Sequence, residues 1–232
     1  MVSLIAFMLA NKEGIKKRQG DEQKPFLANK KRALAYYNVL SSVYDVLNPH
    51  LYTFLIREEI IKLLNSETGL RVLDVGCGTG YTTRGILQLL NPSEVVGVDQ
   101  NYKQLMKATK NLCFEKTKIS LTRGEVENLP FSGETFDAVV SVGAVEYFPD
   151  LDKALREITR VTKHGGKVVV GGPAFDWFKK VSLHRIFYTP EAQHFEKEFY
   201  RVGLESVTTK LMGVNTFFGT DHYVLVGVGT RK

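Results

Sequence analysis

Residues Arg71 to Tyr81, RVLDVGCGTGY, constrain the fold more than any other stretch of the chain. Val72, Leu73 and Val75 form a short apolar, β-branched-rich run, the pattern of a strand buried on both faces of a parallel sheet. Gly76, Gly78 and Gly80 follow at alternate positions, so the backbone can turn tightly and its N–H groups can approach a ligand with no Cβ between them. Thr82 to Leu90 then resumes a helical period through Ile86, Leu87, Leu89 and Leu90. A strand that passes into a helix through glycines is the ligand-binding turn of an α/β sheet.

Two nucleotide-binding readings compete for this turn. The dinucleotide fingerprint G-x-G-x-x-G would need its third glycine where Tyr81 stands. Asp74 sits inside the end of the strand, where a buried carboxylate gains nothing from facing two phosphates and suits a cationic ligand instead. The string D-x-G-x-G-x-G resembles the first motif of the class I S-adenosylmethionine-dependent methyltransferases. That resemblance implies that Asp74 serves the methionine part of S-adenosyl-L-methionine, directly or through water. It also implies that the backbone of Gly76, Cys77, Gly78 and Gly80 lies along the cofactor. Set apart from the resemblance, the alternative reading of these residues is a glycine-rich turn of some other α/β protein.

Later segments extend the pattern. Glu94 to Asp99, EVVGVD, is a second short strand ending in an acid, 19 residues beyond Gly80. Parallel α/β nucleotide sites place a ribose-binding carboxylate at about 20 residues, and an ionised carboxylate can accept from both ribose hydroxyls. Gln100 follows as a further cofactor contact. A helix over Asn101 to Phe114 and a third strand over Ile119 to Val126 come next, and then Glu125-Val126-Glu127-Asn128-Leu129-Pro130-Phe131. This string resembles the GDAExLPF segment of the family, which implies that Glu125, here in place of Asp, and the Val126 N–H address the adenine edge.

Phe136 to Val142 reads as a fourth strand, with Ser141 as a cofactor contact near its end. Asp150 to Lys163 is an amphipathic helix capped by Asp150 and ended by Gly165-Gly166, and Lys167 to Gly172 is a fifth strand. Residues 70 to 172 follow the family order and are most like its type 11 branch, that of ubiquinone and menaquinone biosynthesis. The implied fold is α/β and Rossmann-like: a seven-stranded, mostly parallel sheet with helices on both faces, plus N-terminal helices. Its last two strands, Leu204 to Val214 and His222 to Val228, are expected to pair antiparallel.

A chain of 232 residues with 44% hydrophobic and 24% charged residues suits one domain over residues 25–232, preceded by a flexible arm, 1–24. Within the domain, 25–65 supplies two helices that the resemblance casts as a lid, 70–172 the cofactor core, and 173–232 a substrate-facing segment and the final strands. Tyr36, Tyr37 and Tyr44 are candidates for an aromatic wall near the sulfonium. Phe175, Trp177, Phe178, Phe187 and Tyr188 suggest an apolar or aromatic acceptor. Each of these rings also reads as ordinary core.

Net charge is +6, but residues 1 to 35 hold eight Lys/Arg against three Asp/Glu and the rest 23 against 22. A body without clustered cations argues against a nucleic-acid substrate. Two cysteines favour a reducing cytoplasm over a disulfide framework, and no zinc-type spacing occurs. Met1 to Ala10 is apolar but shorter than the ~20 residues that span a bilayer. It is expected to be a disordered or upstream-extended terminus, with peripheral membrane contact through the basic arm as the alternative.

The chemistry implied is in-line methyl transfer to a small or lipidic acceptor, with no metal. A base is needed only for a protonated acceptor; Glu146, Tyr147 and His222 are the foremost candidates, with His184 and His194 behind them. Two alternatives stay open: a protein or RNA acceptor docked by the basic arm, and a regulator that binds S-adenosylmethionine without turnover.

Overall fold

Strand β1 (Arg71–Val75) touches two apolar layers at once. Val72 belongs to a buried cluster with Ile60, Ile86 and Val95, whereas Leu73 and Val75 belong to another with Val96, Val139 and Leu155. Successive side chains of a strand point to opposite faces, so a run that is apolar at every position demands helices on both sides of the sheet. The computed structural model, which describes residues 29–40, 54–64, 68–113, 118–174, 191–215 and 221–232, has that layering.

The remaining elements are α1 (Lys30–Leu40), α2 (Phe54–Lys62), α3 (Tyr81–Leu90), β2 (Glu94–Asp99), α4 (Tyr102–Asn111), β3 (Ile119–Arg123) and β4 (Phe136–Val142). After these come a 3-10 turn (Val145–Tyr147), α5 (Leu151–Val161), β5 (Thr162–Pro173), α6 (Ala192–Arg201), β6 (Leu204–Asn215) and β7 (Asp221–Arg231). The sheet runs β3-β2-β1-β4-β5-β7-β6. Strands β1 to β5 pair in parallel, and β7 is antiparallel to both β5 and β6. The order reverses between β1 and β2 on one side and β4 on the other, which opens a crevice at the carboxyl ends of these strands.

Strands β3 and β5 depart from the boundaries read from the sequence. β3 stops at Arg123 instead of Val126, because Glu125 and Asn128 close a turn of their own, with the Asn128 N–H donating to the Glu125 carbonyl at 3.0 Å. A Cβ on Gly124 would meet Pro130 at 2.8 Å and Val98 at 2.9 Å, so the chain can fold back there only as glycine. β5 begins at Thr162, not Lys167: Phe136 pairs with Thr162 and Ala138 with Lys167, so the residues expected to end the helix form a bulge, with Gly165 at φ +75°. Glu191 stands at the N-cap of α6. The Asp150 cap is present, its carboxylate accepting from the Lys153 N–H at 3.2 Å.

The arm 1–24, Tyr44, and the aromatic and histidine positions between 175 and 188 lie outside the described residues. Among the described residues, no helix is long and apolar enough to cross a membrane.

Candidate active site

The crevice at the strand reversal is a cleft open to solvent. Its walls are the turns after four parallel strands: Gly76 and Gly78 after β1, Asp99, Gln100 and Asn101 after β2, Gly124 to Glu127 after β3, and Gly143, Ala144 and Tyr147 after β4. Helix α1 covers one end through Lys30 and Leu34.

The glycine turn is built differently from its sequence reading. The N–H groups of Gly76 and Cys77 donate to the Val98 carbonyl at 2.8 and 3.1 Å, and that of Gly78 donates to Asp99 at 2.9 Å. These three donors are therefore turned into β2 and away from a ligand. What the turn offers the cleft is bare backbone: Gly76, at φ +72°, lies so close to Ala144 that an added Cβ would sit 2.5 Å from the Ala144 Cβ. Cys77 is buried, and Gly80, at φ +84°, is the N-cap of α3.

Asp99 organises the second wall. One carboxylate oxygen takes the Gly78 N–H and the other takes the Asn101 N–H at 2.7 Å, so one side chain ties the β1 turn to the start of α4. Burial pushes its pKa up to about 6, against the pull of these two N–H donors. Each oxygen keeps a lone pair that the cleft can use.

Asp74 is more deeply placed than expected. It is 1% exposed, accepts from the Thr83 hydroxyl at 2.6 Å, and is not on the cleft wall. Burial raises its pKa to about 6, while the Thr83 hydrogen bond and the charge of Arg57 lower it and the Asp99 charge raises it. Arg57, from α2, also lies 4.0 Å over the Tyr81 ring. Asp74 thus lies behind the turn and offers the cleft no contact surface. Ser141 is likewise removed from the wall: it is fully buried and its hydroxyl donates to the Val75 carbonyl at 2.9 Å, joining β4 to β1.

Glu125 and Val126 line the cleft, and Lys30 of α1 forms an ion pair with Glu125. The Asn101 side-chain amide donates to Asn38 at 3.2 Å, and Tyr36 stacks on Tyr147 with ring centroids 6.2 Å apart. Helix α1 is therefore fastened at three points around the cleft. Of the proposed bases, Tyr147 is on the wall; Glu146, in the same 3-10 turn, is 4% exposed and points its Oε2 toward Gly172. His222 lies on β7 opposite Val214, and its side chain, like that of Tyr37, is outside the described residues. Sequence reasoning passed over Lys30, Gln104 and the Gly143-Ala144 corner; the glycine ending β4, at φ +70°, was the one local signal for the last.

A cradle that a Cβ would fill, a carboxylate with spare lone pairs and an acid at the far end fit an adenosyl group, and no set of metal-ligating side chains occurs among the described residues. A ligand whose hydroxyls donate to Asp99 needs the ionised form, because both oxygens already accept from backbone N–H groups. With Asp99 as that acceptor, affinity for S-adenosylhomocysteine is expected to be flat above pH 7 and to fall as pH drops through about 6, by up to ~10-fold per unit. Calorimetry between pH 5 and 8 checks this, and a dissociation constant unchanged at pH 5 contradicts it.

Residues 73–170 match the description of a methyltransferase domain. The chain is 32% identical over 222 residues to 2-methyl-6-phytyl-1,4-hydroquinone methyltransferase 1, chloroplastic, of Oryza sativa subsp. japonica, covering 94% of this chain and 67% of the relative. It is 31% identical over 172 residues to demethylmenaquinone methyltransferase of Staphylococcus aureus, covering 70% of each. It spans 59 to 61% of the length of three further plant hydroquinone methyltransferases. Its fold matches phosphoethanolamine N-methyltransferase 2 of Haemonchus contortus in complex with S-adenosyl-L-methionine, with a TM-score of 0.69 at 18% identity over 84% of this chain and 57% of that one. With the sheet order, the glycine cradle and the carboxylate ending β2, these likenesses place the chain in the S-adenosylmethionine-dependent methyltransferase family, whose cofactor is S-adenosyl-L-methionine.

Proposed function

We propose that the protein methylates a small lipidic acceptor of the substituted hydroquinone type. The observation that carries this reading is similarity over 94% of the chain to a relative named for a phytyl hydroquinone, joined by a second relative named for demethylmenaquinone. In the same reading, Asp99 accepts from the ribose hydroxyls, Glu125 and the Val126 N–H address the adenine edge, and Gly76 and Gly78 let the methionine part pass along the turn. Gln100 flanks the adenosine. Asp74, behind the turn, adds negative potential at the cationic end of the ligand.

The bound cofactor supplies an activated methyl on a sulfonium, which leaves as a thioether when a nucleophile displaces it. The protein's share is alignment and exclusion of water. Tyr147, backed by the stacked Tyr36 ring, gives the cleft an aromatic surface on which an acceptor ring can pack, and its oxygen, as the phenolate, is a candidate to take a proton from it. Glu146 and His222 are the remaining candidates for that proton. We place the protein in a reducing compartment such as the cytoplasm, in keeping with two cysteines that are both free.

The test is incubation with methyl-labelled cofactor and, in parallel, a prenylated hydroquinone, total RNA and a protein extract. Label is expected in the organic extract of the hydroquinone reaction. Label confined to RNA or protein, lost on deleting residues 1–24, overturns the lipidic acceptor in favour of docking by the basic arm. Saturable cofactor binding with no labelled product in any reaction favours a regulator instead.

A further inference from the structure

Helix α4 turns large apolar side chains to solvent. Tyr102 is 61% exposed and Met106 43%, although Leu105 and Ala108 of the same helix are buried. Residues four apart lie on one face of a helix, so these two form an apolar stripe. Beside it Lys103, Lys107 and Lys110 form a second stripe at i, i+4 and i+7, with the first and last exposed. Neither α4 nor β3, on which the helix packs, contains an acidic residue. Arg123, exposed at the end of β3, adds a guanidinium beside the start of the helix, where its Nε donates to the Gln100 carbonyl at 3.2 Å.

Helices α2, α5 and α6 are built differently. Lys62 pairs with Glu58 at 2.8 Å in α2, Arg156 with Asp152 at 3.1 Å and Arg160 with Glu157 at 2.6 Å in α5, and Arg201 with Glu198 at 3.1 Å in α6. Such pairs, three or four residues apart, are what a solvated helix face carries. A cation in a first helical turn also opposes the helix dipole, so Lys103 costs stability where it stands. Folding therefore accounts neither for Lys103 nor for the outward Tyr102 and Met106. An anionic surface with an apolar interior accounts for all three, since head groups attract the lysines and the acyl boundary takes the apolar side chains. The face also adjoins the cleft: Asn101, the N-cap of α4 and the residue before Tyr102, lines it. A prenylated hydroquinone dissolves in a bilayer, and the choice of a lipid occupant over a soluble one rests on that reading of the acceptor.

We propose that the outer face of α4 docks on a bilayer containing anionic lipids, with Tyr102 and Met106 entering the head-group boundary and Lys103, Lys110 and Arg123 meeting lipid phosphates. The contact is peripheral and reversible, because two apolar side chains and a few cations give an attraction that salt weakens. Docking of this face brings the cleft beside the lipid in which the acceptor is dissolved. The lipid surface is thus a partner of the folded body, separate from any contact made by the basic arm.

The experiment is co-sedimentation of the full chain with vesicles, in the absence of acceptor and cofactor. Vesicles of phosphatidylcholine alone are compared with an equimolar mixture of phosphatidylcholine and phosphatidylglycerol. Wild type is expected to bind the mixture at least ~10-fold more tightly and to lose that advantage as salt rises. Lys103→Gln combined with Lys110→Gln is expected to weaken binding to the mixture ~25-fold, at about five-fold per cation removed. Tyr102→Ser combined with Met106→Ser is expected to weaken it ~10-fold. Both double variants are expected to keep wild-type affinity for S-adenosylhomocysteine. Vesicle binding by both at the wild-type level assigns the attraction to the arm 1–24 and overturns the proposal. So does a wild type that sediments with neither vesicle, even if the lysine pair alters its retention by RNA or an acidic polypeptide, since the face then serves a soluble partner. Should either double variant fold poorly, Tyr102→Trp takes its place: the added fluorescence is expected to shift to the blue on the mixed vesicles, and no shift overturns the proposal. Docking without methylation of a prenylated hydroquinone leaves this surface in place and removes the acceptor; methylation without docking does the reverse.

Discussion

Replacing Asp99 by Ala weakens binding of S-adenosylhomocysteine by at least ~100-fold, the largest single effect expected from a side chain at this site. Hydrogen bonds to a charged group contribute ~1.5–3 kcal/mol each, so losing the two ribose hydroxyl partners proposed for Asp99 removes ~3–6 kcal/mol. The carboxylate also takes the Gly78 and Asn101 N–H groups, and Ala leaves both without an acceptor. The β1 turn and the start of α4 then lose their common tie, so the remaining binding surface becomes less ordered as well. Asp99→Asn separates the two contributions: it keeps one acceptor oxygen but sets an NH2 against a backbone donor, and it is expected to lose most of the affinity while retaining the folded circular-dichroism spectrum. Calorimetry on material that passes that check is the measurement. Affinity within ~3-fold of wild type for Asp99→Ala would remove Asp99 from the ribose.

Gly76→Val is the second large effect, and it acts through the backbone. At φ +72° a β-branched residue is strained by roughly 1–2 kcal/mol before any contact is considered. Its Cβ would then lie 2.5 Å from the Ala144 Cβ, a separation that no neighbouring adjustment absorbs while both turns stay in place. The Gly76 N–H bond to Val98 must break for the turn to move, and the cleft closes from within. Binding of S-adenosylhomocysteine is expected to fall below detection, with a melting temperature several degrees lower. Two companions identify the cause. Gly69→Ala has a similar φ of +79° with nothing within 4 Å of the new Cβ, so it is expected to cost stability only modestly and to leave affinity intact. The Gly76→Ala and Ala144→Gly pair together is expected to bind better than Gly76→Ala alone, because the clashing partner has been removed. No recovery in the pair would place the defect in the dihedral angle instead of the contact.

Residues with local consequences were legible before any coordinates. Val72 to Val75 reads as a buried strand, and the alternate glycines after it as a turn. The Asp99 offset follows from the length of one helix and one strand. In α5, Ala154, Leu155, Ile158 and Val161 keep helical spacing, so its buried face is visible in the string itself. Where the reading erred, long-range pairing had overridden a local signal. Gly165 and Gly166 look like a helix stop, yet Thr162 already pairs with Phe136, and the glycines are absorbed in a bulge. Ser141 looked like a wall residue because it ends a strand, but the Val75 carbonyl, 66 positions away in the chain, claims its hydroxyl.

What the sequence by itself determined is the set of elements, their order, and the strand-turn-helix unit with its two acids, because backbone preference and side-chain period act over a few residues. Only the tertiary structure decided that the glycine N–H groups turn into β2, that Asp74 sits behind the turn, that Lys30 of α1 reaches Glu125, and that Gln104 is buried without a partner among the described residues. Each of these depends on which atoms meet across the strand reversal. Hydrogen bonding and burial there are settled by elements far apart in the chain, and no local pattern records them.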